Sequence, residues 1–225
     1  NQAYKTDPVS AFGGIIAFNK KLGHKLLKKI LNQQFVEVII VPSVSKECIS
    51  LIKLKPNVRL LIIKNFNKKS TTLELKSLQS KFLIQEIDSK PVSKNNLKIV
   101  TKKKPSPREI DDLLFAFKVA RYVKSNAIVF VKNKKTLGIG AGQMSRIDST
   151  NIATSKAKKQ NISLKGSVMA SEAFFPFRDN IDLAKKIGVS SIIQPGGSIK
   201  DEEIISITDK YNLSMVFTNV RVFKH

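Results

Sequence analysis

The chain has 225 residues, of which 42% are hydrophobic, and it carries a formal net charge of +23. This composition excludes a disordered chain, because so much apolar surface forms a core in one large domain or two small ones. The single cysteine, Cys48, excludes a disulfide framework and a multi-cysteine zinc site. No apolar run reaches the roughly 18–20 residues that a membrane helix needs, so we expect a cytosolic protein without a membrane partner.

Lysine supplies most of the positive charge, since only six of the 40 basic residues are arginine. The lysines are scattered along the chain, with one short run at Lys102–Lys104. Specific contacts to nucleic acid favour the planar arginine fork and interleaved aromatic rings. The pattern therefore predicts a solvated surface that attracts anionic substrates and no nucleic-acid partner, with a basic nucleic-acid-binding α/β module as the alternative.

Short apolar runs alternate with helical patterns in the first part of the chain. The expected strands are residues 13–18, 36–41 and 58–63, the last of them buried, and the expected helices are 21–34 and 45–54. Strands that alternate with helices form a mostly parallel sheet. Residues 65–96 are polar and irregular, with one candidate edge strand at 81–87, so we divide the chain there into domains 1–95 and 96–225.

The second part of the chain continues the same alternation. Ser106 before Pro107 predicts the capped start of a long helix that ends at Val123. The other expected elements are strand 97–101, a hairpin of strands 126–131 and 135–139 across Asn133-Lys134, helices 145–159 and 181–187, strand 190–193, helix 201–211 and strand 214–218. These elements predict an α/β fold class.

A glycine-rich segment, Leu137-Gly-Ile-Gly-Ala-Gly-Gln-Met-Ser-Arg146, joins a strand to a helix. Unpaired backbone N–H groups and the helix dipole favour an anion at such a junction. We therefore expect the glycines near Gly140 to cradle a phosphate, with Arg146 adding a bidentate grip. The segment lacks the tail of the dinucleotide fingerprint and the Gly-Lys-Ser/Thr of a P-loop.

Four further segments combine small polar residues and charges where a packed element would carry apolar ones. In Asp7–Gly14 a glycine pair permits either close approach to a ligand or a tight turn. Asn126 lies where a helix gives way to a strand, and its amide either reads a carboxamide or closes a loop. In Met169–Asn180 we expect the three phenylalanines either to stack on a ligand or to pack in the core. We expect Asp179 either to bind an amine or to cap the next helix. Gln194–Ser198 is a candidate anion or carboxylate site.

These segments, in this order, resemble the AICAR transformylase domain of the bifunctional AICAR transformylase / IMP cyclohydrolase family. The most specific motifs are Gly138–Arg146 and Phe174-Phe-Pro-Phe-Arg-Asp179, and the resemblance spans Ala3–His225. It implies a bacterial member with two cytidine-deaminase-like α/β/α subdomains, the first of them truncated at its N-terminus. The zinc-deaminase signature is absent from the sequence, so we expect no metal-activated water and no required metal.

The resemblance also implies the reaction and its partners. A formyl group passes from 10-formyltetrahydrofolate, the co-substrate, to the 5-amino group of AICAR. A separate domain of the parent protein closes the formylated product to IMP, which completes de novo purine nucleotide synthesis. AICAR and the folate are the expected small-molecule partners, and the active site is expected at the interface of a homodimer.

The site residues follow from the resemblance position by position. The positions that match binding of the AICAR nucleotide are Glu37, Asn126, Arg146, Phe174 and Arg221. Those that match the folate and transfer site are Phe12, Gly13, Pro176, Asp179, Ser198 and Phe223. Asn126 and Asp179 are expected to support the chemistry.

The resemblance also marks what the chain is expected to lack. The family's catalytic Lys-His pair and the cyclohydrolase domain are expected upstream of Asn1, so we expect the isolated chain to be inactive. Position 172 is Glu where the family usually has Asp, which bears on a monovalent-cation site of some members. Position 222 is Val where close bacterial relatives often carry His.

Overall fold

The computed structural model describes residues 2–64, 73–87 and 91–223. Within these ranges the chain forms two compact units. The small unit is Pro8–Ile87, and the large unit contains residues 91–223 together with helix α1 (Gln2–Thr6).

A three-stranded parallel sheet and two helices form the core of the small unit. Its elements are β1 (Gly14–Ala17), α2 (His24–Gln33), β2 (Val36–Val41), α3 (Lys46–Lys53) and β3 (Arg59–Ile62). Strand β2 lies in the centre and pairs in parallel with β1 and β3. Leu27 of α2, Ile39 of β2 and Cys48 of α3 belong to one buried cluster, which holds both helices against the sheet. The parallel sheet predicted from the alternating pattern is confirmed.

The third strand of this sheet differs from its prediction. An apolar run at 58–63 predicts a buried strand, but β3 lies at the edge of the sheet. Leu61 and Ile62 are 43% and 48% exposed. Apolar composition identified the strand correctly, whereas its burial depends on what covers the sheet, which a run of residues does not encode.

The described part of residues 65–96 contains a hairpin instead of the predicted irregular chain. Strand β4 (Leu73–Leu78) pairs antiparallel with β5 (Lys81–Glu86), and only these two strands belong to their sheet. Every residue of both strands is exposed. The expected edge strand at 81–87 corresponds to β5, and residues 65–72 and 88–90 lie outside the described residues.

A six-stranded mixed sheet with helices forms the large unit. After α1 its elements are β6 (Lys98–Ile99), α4 (Pro107–Ala120), β7 (Ile128–Lys132), β8 (Lys135–Gly140), α5 (Arg146–Lys159), β9 (Val168–Ser171), α6 (Asp179–Ile187), β10 (Ser191–Gln194), α7 (Asp201–Lys210) and β11 (Ser214–Phe217). The strand order is β6-β11-β10-β9-β7-β8. Strands β9, β10 and β11 are parallel, whereas the pairs β6–β11, β9–β7 and β7–β8 are antiparallel.

Alternating side chains of β7 belong to the two cores of the large unit. Ile128 and Phe130 join a buried cluster that includes Ala153 of α5 and residues of α6 and α7. Val129 belongs to a second cluster with Leu113 of α4. The sheet therefore has α4 on one face and α5, α6 and α7 on the other, which gives three layers and confirms the α/β class.

The strand directions bring five loops to one edge of this sheet. Strands β9, β10 and β11 end there, and the antiparallel register of Ile128 with Ser171 and Gly140 places the start of β7 and the end of β8 beside them. We call this edge the loop edge, and its segments are 121–127, 141–145, 172–178, 195–200 and 218–223. Ligands of open α/β sheets bind beyond the carboxyl ends of the strands, so the loop edge is where a site is expected.

Candidate functional site

A buried ion pair lies at the loop edge, between the start of α5 and the end of β9. Arg146 Nη2 donates to Glu172 Oε1 at 3.2 Å, and the two side chains are 13% and 0% exposed. Ser125 Oγ donates to the same carboxylate oxygen at 2.7 Å. One buried oxygen therefore receives donors from two segments that are distant in sequence.

The charges around Arg146 leave this part of the loop edge positive. Burial lowers the pKa of Arg146, Glu172 opposes that shift, and the nearby charge of Arg221 adds to it. The guanidinium stays charged at neutral pH, because arginine does not lose its proton in proteins. Among the described residues, Arg146 Nε is buried and has no hydrogen-bond partner. Two guanidinium groups beside one carboxylate favour an anionic ligand.

The phenylalanines of residues 174–177 have three different environments. Arg221 lies over the half-buried ring of Phe174, with Cζ 5.0 Å from the ring centroid, which is a cation–π distance. Phe175 is fully buried in the core, whereas Phe177 is 65% exposed. The sequence left stacking and core packing open for the group, and the structure divides the group between them.

Asn126 uses both hydrogens of its side-chain amide within the protein. Its Nδ2 donates to the carbonyl oxygens of Gln143 at 2.9 Å and Met144 at 3.0 Å. Ser149 Oγ donates to the main-chain oxygen of Asn126 at 2.6 Å. These bonds hold segment 141–145 in front of Arg146, as the loop-closing interpretation expects. The amide oxygen Oδ1 is the side-chain atom left to accept a hydrogen bond from a ligand.

Two of the three glycines predicted to cradle a phosphate near Gly140 have a packing role. Gly138 and Gly140 lie inside strand β8 and face helix α5. An added Cβ would lie 2.5 Å from the carbonyl oxygen of Ala153 at the first position and 1.8 Å from that of Ser149 at the second. These two glycines are therefore needed for close approach of the helix to the strand. Only Gly142, with φ of +65°, lies in the loop.

The start of α5 also carries its own cap. Ser145 Oγ accepts a hydrogen bond from the N–H of Asp148 at 3.1 Å and donates to the Asp148 carboxylate at 2.6 Å. That carboxylate occupies the first turn, where the helix dipole favours negative charge. The side chain of Arg146, rather than the backbone N–H groups at the helix start, is therefore the group suited to an anion here.

Asp179 is the first residue of α6 and not its cap, which is Arg178. Its Oδ1 accepts from the main-chain N and the Nδ2 of Asn180 at 2.7 and 2.9 Å. Asn180 Oδ1 in turn accepts from Thr150 Oγ1 of α5 at 2.6 Å. Asp179 is half-buried, and Pro176 in the preceding loop is half-buried as well. The helix-capping alternative for Asp179 is thus excluded, which leaves the alternative that its carboxylate binds an amine at the loop edge.

Ser198 and Phe223 also lie at the loop edge. The N–H of Gly197 donates to Asp201 Oδ2 at 2.7 Å, and Ser198 Oγ accepts from the N–H of Lys200 at 3.1 Å. Phe223 is 44% exposed. The structure therefore brings to one edge all the predicted site residues of the large unit, which are Asn126, Arg146, Phe174, Pro176, Asp179, Ser198, Arg221 and Phe223.

The other three predicted residues lie together in the small unit. Gly13 has φ of +69°, a backbone conformation that favours glycine, and a Cβ there would lie 3.0 Å from Oε1 of the Glu37 side chain. Glu37 is exposed near the start of β2. Phe12 is 75% exposed, with its ring centroid 5.4 Å from that of Phe35.

Ser125 and Glu172 are the residues that sequence reasoning did not include in the site. Glu172 entered only as a departure from the family pattern, although an acid directly after the buried strand Val168–Ser171 is a signal. A buried carboxylate needs partners, so its position predicts a nearby cation. Ser125 carries no comparable signal, because serine is common in loops.

Two kinds of feature are absent from the part of the chain that the structure describes. No group of three or more His, Cys, Asp or Glu side chains is placed to hold a metal ion. None of the helices within 2–64, 73–87 and 91–223 is long and apolar enough to cross a membrane.

Comparison with protein families decides which family has this arrangement. A model of the family described as "AICARFT/IMPCHase bienzyme" matches residues 1–156, which is more than half of the chain. The chain belongs to the AICARFT/IMPCHase bienzyme family. The matched range contains Phe12, Gly13, Glu37, Asn126 and Arg146.

Curated relatives extend the match over almost the whole chain. Three proteins called "Bifunctional purine biosynthesis protein PurH", from strains Tuc7, 5A and APS of Buchnera aphidicola subsp. Acyrthosiphon pisum, are each 51% identical over 223 residues. The match covers 99% of this chain and 42% of each relative. This member of the AICARFT/IMPCHase family therefore spans less than half the length of the relatives it matches.

A solved structure offers a much weaker likeness. It is a diaminohydroxyphosphoribosylaminopyrimidine deaminase/5-amino-6-(5-phosphoribosylamino)uracil reductase from Thermotoga maritima, 14% identical with a TM-score of 0.34. The alignment covers 46% of this chain and 34% of that one. A likeness of this extent assigns no fold, so the architecture of this AICARFT/IMPCHase member rests on its own sheet order.

Proposed function

We propose that this chain is part of a bifunctional purine biosynthesis enzyme and supplies the AICAR formyltransferase site, with IMP cyclohydrolase activity elsewhere in the protein. Membership of the AICARFT/IMPCHase bienzyme family and the names of the relatives support this proposal. The observation that carries it is the cluster of Arg146, Phe174 and Arg221 at the loop edge. Two cations and an aromatic ring are suited to an aromatic nucleotide monophosphate.

The AICAR nucleotide fits the chemistry of this cluster. Arg146 and Arg221 offer guanidinium N–H groups to the phosphate, for which bidentate hydrogen bonds are strong. The ring of Phe174 offers an apolar surface to the ligand. Asn126 Oδ1 is able to accept an N–H of the carboxamide, since its amide hydrogens are already donated to Gln143 and Met144. A role of Glu37 in nucleotide binding stays a prediction from the family resemblance.

The proposed reaction is formyl transfer from 10-formyltetrahydrofolate. The 5-amino nitrogen of AICAR attacks the formyl carbon, and the resulting tetrahedral oxyanion needs a hydrogen-bond donor. The bond from this carbon to N10 of the folate then breaks, the amine loses one proton and N10 gains one. The residues of this chain are proposed to orient the two substrates for this step.

The folate is proposed to lie along the loop edge beside the nucleotide. Its proposed residues at this edge are Pro176, Asp179, Ser198 and Phe223, and a folate role for Phe12 and Gly13 stays a prediction from the family resemblance. Exposed apolar side chains support a ligand with a large ring system, since Phe177 is 65% and Phe223 is 44% exposed. Asp179 is suited to accept hydrogen bonds from ring N–H groups of a pteridine.

A homodimer is proposed, with this edge at the interface. Met144 and Ile199 of the loop edge are 99% and 100% exposed, which supports cover by another protein surface. The cytosol, a pair of cytidine-deaminase-like subdomains divided near residue 95, and independence from a required metal also belong to the proposal. A monovalent cation stays an optional component of the full-length protein.

The proposal is tested with Arg221→Ala in the full-length protein. AICAR-dependent release of tetrahydrofolate is followed by absorbance, and loss of a charged hydrogen bond should raise KM for AICAR about tenfold or more. Arg108→Ala is the matched control, because Arg108 binds Asn133 near the β7–β8 turn, at the end opposite the loop edge. Absence of AICAR-dependent release by the wild-type protein, or an unchanged KM in Arg221→Ala, would refute the proposal.

A further inference from the structure

Glu172 is the one acidic side chain with no exposed surface among the described residues. It directly follows strand β9 and so lies at the base of the loop edge. A buried carboxylate is costly unless charged partners and hydrogen bonds compensate it. Its contacts therefore indicate what this position does for the surrounding loops.

Three segments of the loop edge converge on this residue. Ser125 Oγ and Arg146 Nη2 both donate to Oε1, at 2.7 and 3.2 Å. The N–H of Val222 donates to the main-chain oxygen of Glu172 at 3.1 Å. Arg146 is itself one of the proposed nucleotide residues. Ser125 directly precedes Asn126 and Val222 directly follows Arg221, and Asn126 and Arg221 are two others.

We propose that Glu172 is a positioning residue, which orients Arg146 directly and the Asn126 and Arg221 segments through their neighbours for binding of a nucleotide monophosphate. This inference rests on the proposed function of the site. Glu172 is buried behind these groups and itself carries a negative charge, so it acts through them and not on the phosphate.

The charge of the carboxylate is essential to the orientation of Arg146, whereas the bond from Val222 to the main-chain oxygen of Glu172 does not depend on the side chain. Arg146 and Arg221 repel one another, and burial already disfavours the charged form of Arg146. Glu172 compensates the buried guanidinium and holds it in one orientation, whereas an amide would supply an oxygen without the charge. Removing the charge also removes a negative group near the phosphate. If Glu172 acted only through its charge, neutralising it would therefore strengthen binding of the anion, whereas the positioning role predicts that binding weakens.

A purely structural role makes a different prediction from positioning. If Glu172 only stabilised the fold, its loss would weaken AICAR and its phosphate-free riboside by the same factor. An effect through Asn126 would weaken both ligands by the same factor, because both carry the carboxamide. Positioning of Arg146 affects only the ligand with the phosphate, so the ratio of the two affinities is the diagnostic quantity. This ratio is insensitive to a general loss of folded protein.

The test uses Glu172→Gln and Glu172→Asp in the full-length protein, with Asp112→Asn as a control. Asp112 is likewise a buried carboxylate, 4% exposed, and accepts the N–H groups of Asn133 and Lys134 at 2.8 and 2.6 Å, away from the loop edge. Dissociation constants for AICAR and its riboside are measured by calorimetry. We expect Glu172→Gln to lower the preference for the phosphorylated ligand about tenfold or more. Glu172→Asp should keep part of the preference, and Asp112→Asn all of it.

Each outcome decides between the alternatives. Unchanged preference in Glu172→Gln, equal weakening of both ligands, or tighter binding of AICAR would overturn the inference. If Glu172→Gln does not fold, Glu172→Asp decides, and wild-type preference in that variant counts against positioning. If the wild-type protein itself shows no preference for AICAR, the proposed function fails. A crystal structure of the Glu172 variant then decides separately, because an unmoved Arg146 guanidinium would overturn the positioning role.

Discussion

At the residue scale, the glycines of β8 decide how closely helix α5 approaches the sheet. Gly138 and Gly140 lie where a side chain would meet the helix backbone. A glycine that leaves room for an anion and a glycine that leaves room for a helix are required for the same reason, because a Cβ would occupy that space. The sequence pattern is therefore the same in both cases, and only the position of α5 distinguishes them.

Gly140→Ala is expected to destabilise the large unit strongly. Its Cβ would lie 1.8 Å from the carbonyl oxygen of Ser149, which belongs to the helix backbone and has no rotamer that relieves the clash. We expect the free energy of unfolding, measured with urea, to fall by about 3 kcal/mol or more. Gly23→Ala is the control, because no atom lies within 4 Å of the added methyl group, and it should cost less than about 1 kcal/mol. Equal stability of the two variants would argue against close helix packing.

Other site residues show how much a residue type reveals. An amide at Asn126 is able to bind a ligand or a loop, and the loop takes its two donors. Three neighbouring phenylalanines are equivalent in sequence, yet Phe175 is in the core and Phe177 in solvent. Residue identity defines which interactions are available, and the neighbours in space decide which are used.

At the element scale, helix α4 has a start that the sequence predicts correctly. Ser106 N donates to the Glu109 carboxylate at 2.8 Å, and the N–H of Glu109 donates to Ser106 Oγ at 3.3 Å. Pro107 occupies the first turn, where its missing N–H is no loss. All these contacts join residues within four positions, so a short stretch of sequence is sufficient to specify them.

Ser106→Ala is expected to remove about 1 kcal/mol from the free energy of unfolding, because the N–H of Glu109 loses its acceptor, Ser106 Oγ, and the Glu109 carboxylate loses the hydroxyl donor. Urea denaturation at neutral pH measures the change. Ser50→Ala on the exposed face of α3 is the control and should stay within about 0.5 kcal/mol of wild type. A loss no greater than that of the control would show that the capping box contributes little.

Glu109 should make part of this stability depend on pH. Burial raises the pKa of its carboxyl group, but hydrogen bonds from Ser190 and Ser106 outweigh that effect and the pKa is lowered overall. The ionised form therefore stabilises the fold above the unfolded pKa of about 4.3, and this contribution is lost as the pH falls through the folded pKa. The stability difference between wild type and Glu109→Gln should shrink between about pH 6 and pH 3. A difference that is constant over this range would contradict the assignment.

The two hairpins within the described residues differ in how clearly the sequence of the turn predicts them. The β7–β8 turn has Asn133 and Lys134 at φ of +58° and +53°, and asparagine favours that region, so the hairpin was predictable and is confirmed. The β4–β5 turn has Gln79 at φ of +51°, which glutamine rarely adopts. Without Gly, Asn or Asp at the turn, β4 gave no hairpin signal.

At the scale of the whole molecule, the one run of lysines is separated from the aromatic rings of the loop edge. The run Lys102–Lys104 follows β6, which is antiparallel to β11 and so ends away from the loop edge. Phe174 and Phe177 lie at the loop edge itself. A single-stranded nucleic-acid surface interleaves cations and aromatic rings, so this arrangement favours the formyltransferase proposal over the alternative.

The sequence by itself determined the α/β class, most helices and strands, the capped start of α4 and the family. These features depend on periodicity and contacts between near neighbours, or on motifs whose residues are contiguous. Tertiary structure alone decided that Gly140 faces a helix, that β3 is exposed, and that Ser125, Arg146 and Val222 meet at Glu172. The meeting at Glu172 depends on strand order and direction, because its three partners are 26 to 50 positions away along the chain, beyond the reach of any local pattern.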